Sequence, residues 1–239
     1  MRIRFMKNMT QPALLLATLA FVLAPAVTPP FMGYDPGTFP VVIERPAIQP
    51  AGYAFAIWGV IYLWLIAHAG FGLWKRSGDA VFLRADKPLL VAVLLGTVWL
   101  AIAPAAPITA TLTILVMAAF AIRAFLIADP VQDRWLLSAP LGIFAGWLTA
   151  AASVSTGVIL AGYGWLSDSG SAIAMLLVLL AIAITVQSKR RSMPIYGATV
   201  VWAIIGVVVV NWGDKPMIAY AALAGAVVMA AATIGLLRK

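Results

Sequence analysis

Between Ala172 and Ile184 the chain carries no polar side chain, and apolar runs of this kind recur along its whole length. A helix rises about 1.5 Å per residue, so about 20 such residues cross a hydrocarbon layer about 30 Å thick. Of 239 residues, 64% are hydrophobic and only 10% charged, whereas a water-soluble domain carries about 25% charged residues. Too little charge is available to cover a surface facing water, and lipid is the expected solvent for most of this one. Closed barrels also satisfy the backbone in lipid, but they alternate polarity with a period of two, and these runs are apolar throughout. The expected fold class is all-α integral membrane.

Eight spans are expected, at about residues 11–27, 52–74, 88–103, 108–127, 135–161, 172–186, 195–210 and 217–237. The third and fourth are separated only by Pro104-Ala105-Ala106-Pro107, a proline pair that suits a tight hairpin. With the N-terminus inside, the cytoplasmic set holds Arg2, Arg4, Lys7, Lys75, Arg76, Arg84, Lys87, Arg123, Arg134, Lys189, Arg190, Arg191, Arg238 and Lys239. The outer set is Arg45 and Lys215, so fourteen of the sixteen basic residues lie on one side. That bias is the positive-inside signature, and a missed helix would scramble it. Both termini are therefore expected inside, in a bacterial cytoplasmic membrane. The net charge of +8 then marks topology and contact with anionic headgroups, with no nucleic-acid partner.

The basic residues, apolar run and Ala24-Pro25-Ala26 near the N-terminus resemble a cleavable leader. The proline after Ala24 makes an awkward cleavage region, and a retained first helix is the expectation. Residues 28–51 form the longest outer loop, with Pro29, Pro30, Pro36, Pro40, Pro46 and Pro50 interleaved with Phe31, Tyr34 and Phe39. Two readings are open for so stiff a segment: a lid over a pocket between helices, or a rigid connector lying on the headgroups.

Catalytic chemistry finds little material here. There is no cysteine and one histidine, His68, which rules out thiolate and multi-histidine metal sites. His68 reads as a hydrogen-bond donor between helices, with a haem axial ligand as the sharper alternative. Asp35, Glu44, Asp79, Asp86, Asp129, Asp133, Asp168 and Asp214 all fall in expected loops, leaving no acid at membrane depth to bind a coupling ion. Arg123 lies near the inner end of its span, where its stem reaches the interface. Ser138, Ser153 and Ser155 lack a base, and Gly162-Tyr163-Gly164 lacks the lysine of a phosphate loop. Asp129 and Asp133 read as solvated. No enzyme and no bound cofactor is expected.

Aromatic residues say more. Trp74, Trp135, Trp165 and Trp212 fall at expected interfaces, the usual belt. Trp58, Trp99, Trp147 and Trp202 lie within spans, where no belt explains them. Phe55, Trp58 and Tyr62 follow i, i+3, i+7 and share a helix face. Such a face packs a bundle or lines a pocket for a flat apolar ligand. Gly142 and Gly146, and the stripe Ala222, Ala226 and Ala230, mark close helix approach, within the bundle or against a second subunit.

The segment Gln49-Pro50-Ala51-Gly52-Tyr53-Ala54-Phe55-Ala56-Ile57-Trp58-Gly59-Val60-Ile61-Tyr62 resembles the second-helix signature of the tryptophan-rich sensory protein (TspO, translocator protein) family. Trp99 before a hairpin, a long apolar fourth span, and Pro140 followed by Trp147-Leu148-Thr149-Ala150 agree with it. The resemblance covers about residues 10–162. It implies a five-helix domain over residues 1–162 with three added helices over 163–239. It also implies a pocket for tetrapyrroles and sterol-like lipids under the first outer loop, lined by Trp58, Tyr62, Trp99, Trp147 and Thr149, often in a dimer. The chain departs from the family pattern at Ala92 and Gly96, where the family has glutamine and asparagine, and at about Ala152, where it has asparagine. An aspartate near the start of the family's fourth helix has no counterpart here. These losses weigh against porphyrin degradation and point to a more apolar ligand, or to none.

The expected function is a non-enzymatic membrane receptor or carrier for a hydrophobic planar ligand, a porphyrin, carotenoid or sterol-like lipid, held by Phe55, Trp58, Tyr62, Trp99, Trp147 and Thr149. The alternatives are a secondary transporter of a small solute and a structural subunit of a larger membrane complex. Expected partners are membrane lipids, that ligand, and a second copy or complex subunit.

Overall fold

The computed structural model describes residues 9–28, 31 and 33–238; the basic residues Arg2, Arg4, Lys7 and Lys239, and Pro29 and Pro30, lie outside them. Eight helices make up the described chain: α1 (Thr10–Val27), α2 (Ile57–Lys75), α3 (Ala80–Ile102), α4 (Pro107–Ile127), α5 (Ser138–Gly162), α6 (Asp168–Lys189), α7 (Ile195–Asn211) and α8 (Pro216–Leu237). Seven have at least 18 residues and are apolar enough to cross a bilayer, and α7 is shorter at 17 residues. That length is about 25 Å, the lower limit for a span. The chain is an all-α, multi-pass membrane protein.

Local chemistry sets the helix ends. Asp79 caps α3 by accepting from the Val81 N–H, and Ser167 caps α6 by accepting from the Gly170 N–H. Pro107 and Pro216 occupy the first positions of α4 and α8, where a missing N–H costs nothing. The Pro104–Pro107 hairpin forms as expected, and the Trp99 indole N–H fastens it by donating to the Ala110 carbonyl at 2.8 Å.

The boundary that differs most from the sequence expectation is the start of the third span. The third span begins at Ala80, two turns before Pro88, which lies inside the helix. Asp86 is therefore not a loop residue: it is 1% exposed, and its Oδ1 lies 2.9 Å from His68 Nε2. His68 Nδ1 lies 2.7 Å from the Leu136 carbonyl, which can only accept, so Nδ1 carries a proton and Nε2 shares another with Asp86. Phe82 stacks on the imidazole at 5.6 Å. Both ring nitrogens are engaged, which removes the axial-ligand alternative and makes His68 the link between α2, α3 and the segment before α5. Asp168 also leaves the expected loop set, since it opens α6 and pairs with Lys215 at 2.6 Å. Asp133 is not free in solvent either, because it pairs with Arg76 at 2.7 Å.

α5 forms the axis of the bundle and is buried along most of its length. α4, α6 and α7 pack along it and α2 touches it, while α1 packs on α2 and α3, and α8 on α6 and α7. The helix is thus shared by the first five and the last four. Small residues permit this crowding. A Cβ on Gly146 would lie 2.7 Å from the Tyr196 carbonyl oxygen, and one on Gly142 would lie 3.1 Å from the Phe125 ring. The Gly142 and Gly146 pair is thus consumed inside the bundle, and a second subunit would have to meet other faces.

Two stability predictions follow from these contacts. His68→Leu strands the Asp86 carboxyl without a partner and is expected to cost about 3–5 kcal/mol. Asp86→Asn keeps a donor for Nε2 and costs about 1 kcal/mol. Thermal unfolding in detergent should rank wild type, Asp86→Asn and His68→Leu in that order. Gly146→Leu should lower the midpoint through about 1–3 kcal/mol of overpacking between α5 and α7, whereas Gly59→Ala, with nothing within 4 Å of its new methyl, should leave it unchanged.

Candidate functional site

Between α1, α2, α3, α4 and α5, toward the end of the bundle that carries Gly33, Tyr34 and Pro50, lies a cavity of about 330 Å³. On α5 its wall is built from Trp147, Leu148, Ala150, Ala151, Val154, Ser155 and Val158, a 3.6-residue stripe along one face. Phe55, Trp58 and Tyr62 supply the α2 side, and Phe21, Gly96 and Trp99 the opposite one. The aromatic rings form a continuous cluster. Trp58 stacks on Tyr62 at 5.2 Å, Phe21 meets both edge-on at 5.8 and 5.3 Å, and Trp147 meets Trp58 and Phe55 at 6.2 and 5.7 Å.

Phe55, Trp58, Tyr62, Trp99 and Trp147 all line this space; Thr149 does not. Successive helical residues turn by about 100°, so Thr149 faces away from a wall that Trp147 occupies. Its hydroxyl donates to the Ala145 carbonyl at 2.7 Å and accepts from the Tyr196 hydroxyl at 3.0 Å, toward α7. Trp202 donates to the Ala54 carbonyl at 3.0 Å and pins the turn before α2 to α7.

One of the polar positions missing relative to the family pattern has a structural explanation. Gly96 leaves room for the Phe21 ring, whose Cε2 would lie 2.6 Å from a Cβ there. Ala92 and Ala152 are buried and lie outside the cavity wall. An aromatic ring from α1 thus stands against the position where the family carries an amide.

The proline-rich loop is the roof. Phe31, Gly33, Tyr34, Gln49 and Pro50 line the cavity, and several anchors hold the loop down. The Val41 N–H donates to the Gly162 carbonyl at 2.9 Å, satisfying an orphan acceptor at the end of α5. The Ala47 N–H donates to Asp168 Oδ1 at 2.8 Å, and Asn211 Nδ2 donates to the Ala47 carbonyl at 2.8 Å. Phe39 and Ile48 are buried beneath it. Of the two readings of this loop, the lid is the one the geometry supports.

Sequence reasoning missed the polar part of the site. The Tyr34 hydroxyl lies 2.7 Å from Ser155 Oγ and 3.3 Å from Thr111 Oγ1, and those two are 2.7 Å apart. Three hydroxyls close a ring joining the lid to α4 and α5. Burial pushes the Tyr34 phenol above its ordinary value, and hydrogen bonds from Ser155 and Thr111 partly offset this. No local signal pairs residues 77 and 121 positions apart. By contrast, the Trp58 and Trp147 indole N–H groups and the Tyr62 hydroxyl have no hydrogen-bond partner among the described residues. The arrangement is a partly open aromatic chamber with three available donors.

No curated protein and no solved structure matches the chain. A family model described as TSPO-like protein matches residues 13–235, from α1 through α8, and so includes the three helices beyond residue 162. This eight-helix membrane protein belongs to the TSPO-like protein family.

Proposed function

We propose that the chain is a non-enzymatic membrane receptor or carrier for a hydrophobic ligand with a flat or fused-ring body, held in the aromatic chamber beneath the loop. One observation carries the reading: an intramembrane cavity walled by Trp58, Tyr62, Trp99 and Trp147, roofed by a loop that is itself tied to four helices. Rings of this kind stack on flat apolar bodies, and three unpartnered donors suit a ligand with a carbonyl or carboxylate edge. The volume of about 330 Å³ stands at the low end of the roughly 300–1,000 Å³ typical of small-molecule sites. It favours a sterol-like lipid or a carotenoid end ring over a whole porphyrin, which would need the lid to move. The only histidine has both nitrogens engaged, which supports the non-enzymatic reading. The basic end of the bundle, facing inward in a bacterial cytoplasmic membrane, puts the lid outside.

A second reading, a proton-coupled transporter, draws on His68 and Asp86, an ionisable pair inside the bundle where none was expected. Solute flux into proteoliposomes driven by a pH gradient, and lost in Asp86→Asn, would favour it over the receptor.

Titration of the purified protein with a sterol, a carotenoid and a porphyrin should quench tryptophan emission for at least one of them. Trp58→Ala and Trp147→Ala should each weaken that ligand about ten-fold, or about 1.4 kcal/mol, and Trp74→Phe, at an exposed site, should not. Silence with all three compounds discards the receptor. Ligand release should also quicken as pH rises past about 10, because a freed Tyr34 ionises there while the buried phenol keeps its proton. Deprotonation thus favours the open lid. Tyr34→Phe should abolish that pH dependence while raising the release rate at neutral pH.

A further inference from the structure

The basic end of the bundle carries a second concavity, separate from the aromatic chamber. It is a groove of about 680 Å³ between α3 and α4 whose lining includes Arg84, Lys87, Arg123, Val91, Phe120 and Ile127, and no carboxylate. Arg84 and Lys87 are three residues apart on α3 and share a face. Arg123 comes to the same groove from α4.

These cations differ from most of the others in the chain. Arg45, Arg76 and Lys215 have carboxylate partners. Arg134 and Arg191 donate to carbonyls, and Arg190 donates to Ser138. Arg84, Lys87 and Arg123 have no ion pair or hydrogen bond among the described residues. Asp129 feels the charge of Arg84, yet it is occupied by the N–H groups of Val131 and Gln132. Three exposed positive charges therefore converge without a resident anion.

Depth and wall chemistry identify what would neutralise them. Arg84 is four residues past the start of α3 and Arg123 four before the end of α4, each about 6 Å from its helix end. The exposed Trp74 and Trp135 lie at the same end of the bundle, at the level of the interfacial belt. Farther in, Val91 and Phe120 continue the groove as an apolar wall. Phosphate at the headgroup level over acyl chain below matches this order of charge and grease. We propose that the groove is a binding site for an anionic phospholipid, its phosphate held by Arg84, Lys87 and Arg123. A free phosphate shares the headgroup chemistry but has nothing to set against the apolar wall.

The test uses the full chain in a neutral detergent, with thermal stability read against added phosphatidylglycerol, phosphatidylcholine or inorganic phosphate. Phosphatidylglycerol should raise the midpoint, and the other two should not. The triple variant Arg84→Gln, Lys87→Gln, Arg123→Gln should bind phosphatidylglycerol on the order of 100-fold more weakly, the loss expected for three interfacial charges. A control with the same charge loss at the same end, Lys75→Gln, Lys189→Gln, Arg191→Gln, should change it less than about two-fold. All six side chains are exposed, so both variants should fold, and unchanged circular dichroism would verify it. Equal stabilisation by phosphatidylcholine or by inorganic phosphate, or equal weakening in both triple variants, would overturn the assignment.

Discussion

A bilayer offers no water to polar groups, and every donor and acceptor at depth must find its partner inside the protein. That constraint organises this structure. Helices satisfy the backbone, and most polar side chains buried within the spans are tied to carbonyls or to one another, with Thr18 of α1 an exception. His68 holds Asp86 and Leu136 together, Thr149 holds Tyr196, and Trp202 holds the turn before α2. Because an unpaired group at these depths costs several kcal/mol, each link selects one arrangement of its helices.

The same rule makes the exceptions informative. The aromatic chamber keeps indole and phenol donors on Trp58, Trp147 and Tyr62 without partners among the described residues, while Trp99 of the same wall and Trp64 and Trp202 outside it all donate to carbonyls. The basic groove between α3 and α4 keeps three cations without anions. In each place the chain leaves unsatisfied chemistry facing a space large enough for a molecule. The first space is aromatic and the second is cationic, so the two suit different ligands.

α5 explains why the halves of the molecule behave as one. Its glycines and alanines let α4 approach on one side and α7 on the other, and its third face is the chamber wall. The roof depends on both halves as well, since the loop after α1 bonds to the ends of α5, α6 and α7. Helices α6 to α8 are accordingly part of what shapes the chamber from outside, even where their side chains do not line it. The family match runs across the same helices.

Apolar run length and the one-sided placement of lysine and arginine determined the helical class, the number of spans and the basic end, because span length and charge bias are local quantities that lipid reads directly. The i, i+3, i+7 spacing likewise put Phe55, Trp58 and Tyr62 on one face before any fold was known. Only the tertiary structure decided the rest. Asp86 was legible as a loop acid because Pro88 looked like a helix start, and its burial depends on His68, a residue on another helix. Thr149 stood beside the right tryptophan in sequence but on the opposite side of α5. The hydroxyl ring of Tyr34, Thr111 and Ser155 and the groove of Arg84, Lys87 and Arg123 join residues from separate elements. Periodicity reports which face of one helix is apolar, and it holds no information on which neighbour that face will meet.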